Sequence, residues 1–282
     1  MSGGLWRDAL AELRRDRLGL ACAAMLLLLA AAAAAGPLLL DYRPDQIDWE
    51  NVAAPPLEAA GHWLGTDRLG RDMLVRTLHG LRVSLAIALA ATLVALVIGV
   101  TWGAFAGYRR GRVDALMMRL VDVLYSLPQV FFVIILTVVF GRSPLTILVA
   151  IGAFGWLTMA RIVRGQALAI REREFVDAAV VGGAGTARIV ARHVVPNLLG
   201  PVIVYATLTL PQVILVESFL SFLGIGIQEP LASLGNLIAD GAAEMETAPW
   251  ILAVPAACLM LLVFCFNFLG DSLRDALDPR DR

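Results

Sequence analysis

The sequence contains no lysine, and all 23 of its basic residues are arginine. A Walker A loop needs a lysine on the nucleotide phosphates and a Schiff-base enzyme needs a lysine amine, so this chain by itself is neither. Cysteine and histidine are nearly as scarce, with three of each. Cys22, Cys258 and Cys265 fall singly inside apolar runs, which makes them small buried hydrophobes rather than a disulfide framework or a ligand set. His62, His79 and His193 are scattered and form no HExxH pair, so no metal site is expected and each reads as a histidine satisfied locally. Charge is thin as well: 17% of residues are charged and the formal net charge is −1, which excludes a strongly basic nucleic-acid binder.

What remains is grease. Hydrophobic residues make up 59% of the 282, and the mean hydropathy of +0.76 is that of a multi-span membrane protein. The run from Leu18 to Leu40 is about 23 residues long, roughly 34 Å as a helix, against a hydrocarbon core of ~30 Å. It is either a first span or a secretory signal with an alanine-rich cleavage zone at 30–35, and its length beyond a ~7–15-residue signal core favours a retained span. Residues 41–80 turn polar and acidic, broken by Pro44, Pro55 and Pro56, and read as an extramembrane loop. Further apolar runs lie near 83–106, 128–140, 145–163, 201–222 and 250–269. The expectation is an all-α, polytopic protein of six transmembrane helices: an N-terminal part (1–80) holding a tail, the first span and an outer loop, then a core of five helices (81–282). The stretch before the third span, VDALMMRLVDVLYSL, is apolar at helical spacing and is expected to enter that span amphipathically, bent near Pro128. With the N-terminus inside, seventeen arginines fall on inner segments and six on outer ones, so both termini are expected in the cytoplasm.

One long charged segment interrupts this pattern. Between Arg161 and Pro196 lie nine charged residues, which at ~2.5–3.5 kcal/mol each would cost more than ~20 kcal/mol at the bilayer centre. It therefore stays on the cytoplasmic side. Within REREFVDAAVVGGAGTARIVARHVVPN, residues 171–197, the pattern predicts two short helices around a glycine hinge. Phe175, Val176, Ala179, Val180 and Gly183 share the first face; Gly182, Gly183 and Gly185 end it; Thr186 caps the second helix, whose apolar side is Ile189, Val190 and Val194; and Pro196 stops it. Such an elbow suits docking in a groove on a partner protein.

Asp177, Ala178, Ala179, then Gly183, then Pro196 after twelve residues, resemble the EAA loop of binding-protein-dependent ABC importer permeases. Asp177 stands where glutamate is usual, His193 where isoleucine is usual and Val195 where leucine is usual, while RHVVPN is similar to the RHILPN of the peptide branch. HWLGTDRLGRDMLVRTLHGLRVSL (62–85), ESFLSFLGIGIQEPLASLGNLIADG (217–241) and FNFLGDSLRDALDPR (266–280) resemble segments of the dipeptide, oligopeptide and nickel permeases in the correct order, closest to the second permease of such systems. The resemblance implies a type I ABC importer permease fold in a bacterial inner membrane. It implies no cofactor on this chain, with ATP and magnesium used by two partner ATPase subunits, and a second permease and an external solute-binding protein as further partners besides membrane lipid. It casts residues 164–200 as the ATPase-coupling loop, with Glu174, Asp177, Ala178, Ala179, Gly183, Arg188, Arg192, His193 and Pro196 as its site residues.

Other features carry two readings each. Gly99, Gly103 and Gly107 form a doubled GxxxG suited to close helix packing, within or between subunits. Glu217 either faces a translocation path or is solvated at the outer boundary. Pro211 either kinks the fifth span for gating or relieves packing. LGTDRLGRD (64–72) either contacts an external binding protein or caps the helix that follows. A secondary, ion-driven transporter is the alternative function, though no internal repeat is evident. An intramembrane enzyme using Ser84, Ser126 or Ser221 lacks a paired base.

Overall fold

The computed structural model describes residues 11–277, except the side chains of Pro37 and Leu38; Arg7, Arg280 and Arg282, counted in the arginine balance above, lie outside the described residues. Among the described residues the regular structure is helical. Helix α1 is Arg17–Leu39, α2 Met73–Arg109, α3 Gly111–Tyr125, α4 Gln129–Phe140, α5 Pro144–Arg171, α6 Glu174–Val181, α7 Thr186–Ile189, α8 Val195–Phe222, α9 Leu234–Ala243 and α10 Pro249–Leu277. Five helical runs are long and apolar enough to cross a membrane, and the pair α3 and α4, bent by 76°, makes a sixth when the two are taken as one broken span. The bend falls where Pro128 was expected to place it, because proline cannot donate to the preceding turn. At 12 residues α4 is only ~18 Å long, so it cannot span without its bent partner.

Side chains at the helix starts explain where the helices begin. Asp16 accepts from the Leu18 N–H, Ser143 from Thr146 ahead of Pro144, and Ser233 forms a reciprocal capping box with Asn236. Asp72 Oδ1 accepts from the Val75 N–H at 2.8 Å, so α2 starts at Met73, and residues 73–80, expected to be loop, are its first two turns. The domain boundary expected at residue 80 therefore falls inside a 37-residue helix.

Helix α2 is the central post, packed chiefly on α5 and also on α8. The doubled GxxxG makes the first contact: a Cβ on Gly99 would lie 2.6 Å from Met159 Cβ, one on Gly107 2.7 Å from the Arg164 carbonyl, and one on Gly103 would overlap the Ala160 carbonyl. Its packing is thus within the chain. Helix α1 lies against α2 and α10, with Gly19 and Gly36 tight on Ser272 and Leu78 and the Asp16 carboxyl taking the Ser272 hydroxyl. Cys22 and Cys265 are buried, Cys258 is half-buried, and all three are free, as the apolar runs around them imply.

The loop 41–72 is folded down rather than loose. His62, 1% exposed, bonds Asp72 at 2.8 Å and Asp48 at 3.4 Å and stacks on Tyr42. The Asn51 side chain and the Glu50 N–H hold the Asp48 carboxyl below its ordinary range. Asp67 binds Arg71 at 2.7 Å and Arg76 at 3.2 Å, and Arg71 reaches Glu229 at 2.8 Å. Trp250 Nε1 donates to the Thr66 carbonyl, and burial pushes the carboxyl of Asp240, beside Arg76, up. LGTDRLGRD is thus a cap and a clasp. Asp72→Ala removes the cap and strands His62, an expected loss of about 2 kcal/mol or more in a detergent-unfolding measurement, with Asp72→Asn retaining most of the cap.

Candidate functional site

The charged segment forms the elbow expected of it, with three changes. Arg173 enters α6 in an extended conformation, and Glu174 and Asp177 occupy the first turn, where the N-terminal helix dipole favours acids. The helix closes in a Schellman motif: Gly183 N–H bonds the Val180 carbonyl at 2.9 Å and Ala184 N–H the Ala179 carbonyl at 3.0 Å. Gly183 sits at φ +77, a left-handed position that favours glycine. The expected apolar face of α6 is split. Val176 is buried at 1% and Ala179 half-buried, whereas Phe175, Val180 and Val181 are 42%, 52% and 89% exposed. Adjacent helix positions point ~100° apart, so in two turns only one of Phe175 and Val176 can face inward.

The second half departs further. Thr186 does not cap; Gly185 is the N-cap, and the Thr186 hydroxyl accepts weakly from Arg109 at 3.5 Å. Ile189 and Val194 are buried and Val190 half-buried, as their spacing implies, against Val163, Ala167, Val176 and Leu198. Pro196 does not stop the helix: 186–222 run on continuously. The chain takes a π turn at Val190–Val194, in which the Val195 N–H reaches the Val190 carbonyl, and Pro196 follows as the second residue of α8, where the widened turn before it makes room for a ring that an α register would crowd. The Asn197 amide then donates to the His193 carbonyl at 2.6 Å. That is the local work of the PN pair, a signal the sequence offered but that was read as a stop.

Ion pairs tie α3 to α5 just before the elbow, and one more, from Arg110 at the α2–α3 junction, reaches the elbow itself. Arg164 grips Asp114 through two bonds of 2.5 and 2.7 Å, Arg161 holds Asp122 at 2.8 Å and lies over the Tyr125 ring, and Arg110 pairs with Glu172. The two acids that made α3 look amphipathic, Asp114 and Asp122, thus have partners on α5. Glu174, Asp177, Ala178, Gly183, Arg188, Arg192 and Pro196 remain exposed, with His193 half-buried beside Phe175.

The two translocation-path candidates do not join this site. Glu217 is 0% exposed: Ser84 donates to its Oε2 and Ser221 to its Oε1, each at 2.8 Å. It is not solvated at a boundary, and within this chain it opens on no path. Its partners are two of the serines weighed as nucleophiles, and they face a carboxyl instead of a histidine. Ser126, the third, donates to the Val123 carbonyl at the end of α3. Pro211 is buried inside the unbroken α8.

Five long apolar helices, a bent apolar pair and an exposed, charged elbow between two of the spans define a polytopic helical membrane protein. The chain belongs to the family of binding-protein-dependent transport system inner membrane components, whose model matches residues 99–282, and residues 4–56 match the N-terminal TM domain of oligopeptide transport permease C. It is 51% identical to the oligopeptide transport system permease protein OppC of Escherichia coli K12 over 99% of this chain and 92% of that protein. Identity to OppC of Haemophilus influenzae is 47% (99% and 89%), and to the dipeptide transport system permease protein DppC of Bacillus subtilis 44% (98% and 86%). The chain is a multi-pass transport permease subunit rather than an enzyme.

Proposed function

We propose that this chain is one of two permease subunits of an ATP-driven importer of peptides, and that its elbow, residues 171–197, seats a separate ATPase subunit. The observation that carries the reading is the elbow itself: Phe175, Val180 and Val181 stand exposed on a short helix locked by Gly183 and backed by a buried apolar cluster, a rigid knob for a groove. The peptide class is supported by the relatives' names, oligopeptide and dipeptide; nickel has no such support among those three. The arginine balance supports cytoplasmic N- and C-termini in a bacterial inner membrane. Two ATPases that use ATP and magnesium, a second homologous permease and an external solute-binding protein complete the proposed machine. The test is paired: Val181→Asp and Gly183→Val, each expressed with the proposed partner subunits. Each is expected to cut ATP-dependent uptake of a labelled tripeptide at least ~10-fold and to reduce ATPase co-purification, while the chain still inserts in the membrane. Wild-type uptake and co-purification in both variants would sink the proposal, and uptake that persists without ATP but collapses with the proton gradient would favour an ion-driven carrier.

A further inference from the structure

A concave site of about 400 Å³ opens where α2 gives way to α3, and its wall is basic. Tyr108, Arg109, Arg110, Arg112, Arg171 and Thr186 line it. Arg110 is neutralised by Glu172, but Arg109, Arg112 and Arg171 have no carboxyl partner among the described residues. Arg171 instead lies over the Tyr108 ring at 5.6 Å and Arg109 reaches the Thr186 hydroxyl, so both are held in place while their remaining N–H donors stay free. Arg112, fully on the surface, makes no side-chain hydrogen bond among the described residues. Three guanidinium groups lining one concavity without a counter-ion form a site for an oxyanion such as a phosphate ester, whose non-bridging oxygens accept several N–H donors at once.

The rest of α2 indicates which phosphate. Its exposed residues recur every three or four positions, winding from Arg82 through Leu89, Leu93, Val97 and Phe105 to Arg109. Between the two arginines the strip is apolar apart from Thr101. Arg82 and Arg109 are separated by roughly 40 Å of helix, the thickness of a bilayer including its headgroup layers. The basic site therefore continues directly from a surface of bilayer height, at the depth where headgroup phosphates lie. A soluble phosphate has no use for that strip, whereas acyl chains do.

We propose that the Arg109, Arg112 and Arg171 site binds the headgroup phosphate of an anionic phospholipid whose chains run along the exposed strip of α2, tying the foot of the coupling elbow to the membrane surface. Basic pockets between membrane helices are the kind of place where such headgroups are held. The inference rests on the chain spanning the bilayer as proposed above, but not on which solute it carries. Its readout is bound lipid, so it can fail while peptide import stands, and the reverse.

The assembled transporter, delipidated in detergent, is titrated with phosphatidylglycerol or phosphatidylcholine, and bound lipid is counted by native mass spectrometry. Phosphatidylglycerol is expected to bind preferentially. Arg112→Gln, which disturbs no intrachain contact, is expected to weaken that binding about five-fold, and Arg109→Gln with Arg112→Gln and Arg171→Gln at least ~10-fold. Arg43→Gln, in the outer loop, should leave it unchanged. Equal retention of the two lipids by the wild type, equal losses in Arg43→Gln and Arg112→Gln, or unchanged binding in the triple variant would each overturn the proposal. Displacement of the lipid by millimolar inorganic phosphate would also overturn it and assign the site to a soluble anion.

Discussion

Replacing Gly103 by leucine is expected to leave almost no folded, membrane-inserted chain. Gly103 faces α5 at its narrowest point, where a single Cβ would overlap the Ala160 carbonyl and come within 3.0 Å of the Arg164 N–H and of Val163 Cβ. Overpacking costs ~1–3 kcal/mol where side chains can move aside, but the obstacle here is backbone, so the loss should reach ~3 kcal/mol or more. The only relief is to push α2 away from α5. That would open the apolar seam and displace Arg164 from Asp114, the ion pair that fixes α3. Gly103→Ala should already be harmful. Gly165 on α5 is the control: it is exposed, helical, and an added Cβ there would meet nothing within 4 Å. Gly165→Ala should therefore be neutral or stabilising by up to ~1 kcal/mol through helix propensity alone. Detergent-unfolding midpoints of the three variants check this. Equal effects at Gly103 and Gly165 would mean that the spacing of glycines, and not their contact, is what the sequence records.

The contrast between these glycines marks how far the sequence could be read. The spans were legible because burial in lipid needs long apolar runs whatever the packing. The elbow was legible because nine charges cannot be placed in hydrocarbon, and the GxxxG spacing announced a close contact but not its partner. Pro196 was expected to stop the helix and does not, for a definite reason: proline crowds the preceding turn in an α register, but a π turn just before it widens that turn and lets the helix run on. The split face of α6 was missed because face-sharing over two turns leaves open which of two neighbours turns inward, and that depends on Ile189 and Val194 from a later helix. The clasp of Asp67, Arg71, Arg76 and Glu229 joins residues more than 150 positions apart, a separation no local pattern reports.

Glu217 is the same lesson with a larger consequence. Its two oxygens are each taken by a serine, and each serine is itself an acceptor: Ser84 Oγ from the Leu234 N–H and Ser221 Oγ from the Ile227 N–H, both at 3.3 Å. One buried carboxyl thereby joins α2, α8, the segment after α8 and the start of α9. Gly235 and Gly226 admit this close approach, since a Cβ on either would overlap backbone of Ser218 or Ser221. Ser84→Ala with Ser221→Ala should strand Oε1 and leave Oε2 only the long 3.5 Å contact from Ser218, at ~1–3 kcal/mol for each lost bond, and loosen the 224–233 segment, seen as faster amide hydrogen exchange there. Adding Glu217→Leu to that double variant removes the stranded acceptor and should recover stability, so the three substitutions are expected to be strongly non-additive. Additive losses would show that the serines and Glu217 act separately. Recovery of stability without recovery of uptake would instead assign the carboxyl a part in transport, holding the segment after α8 against α2.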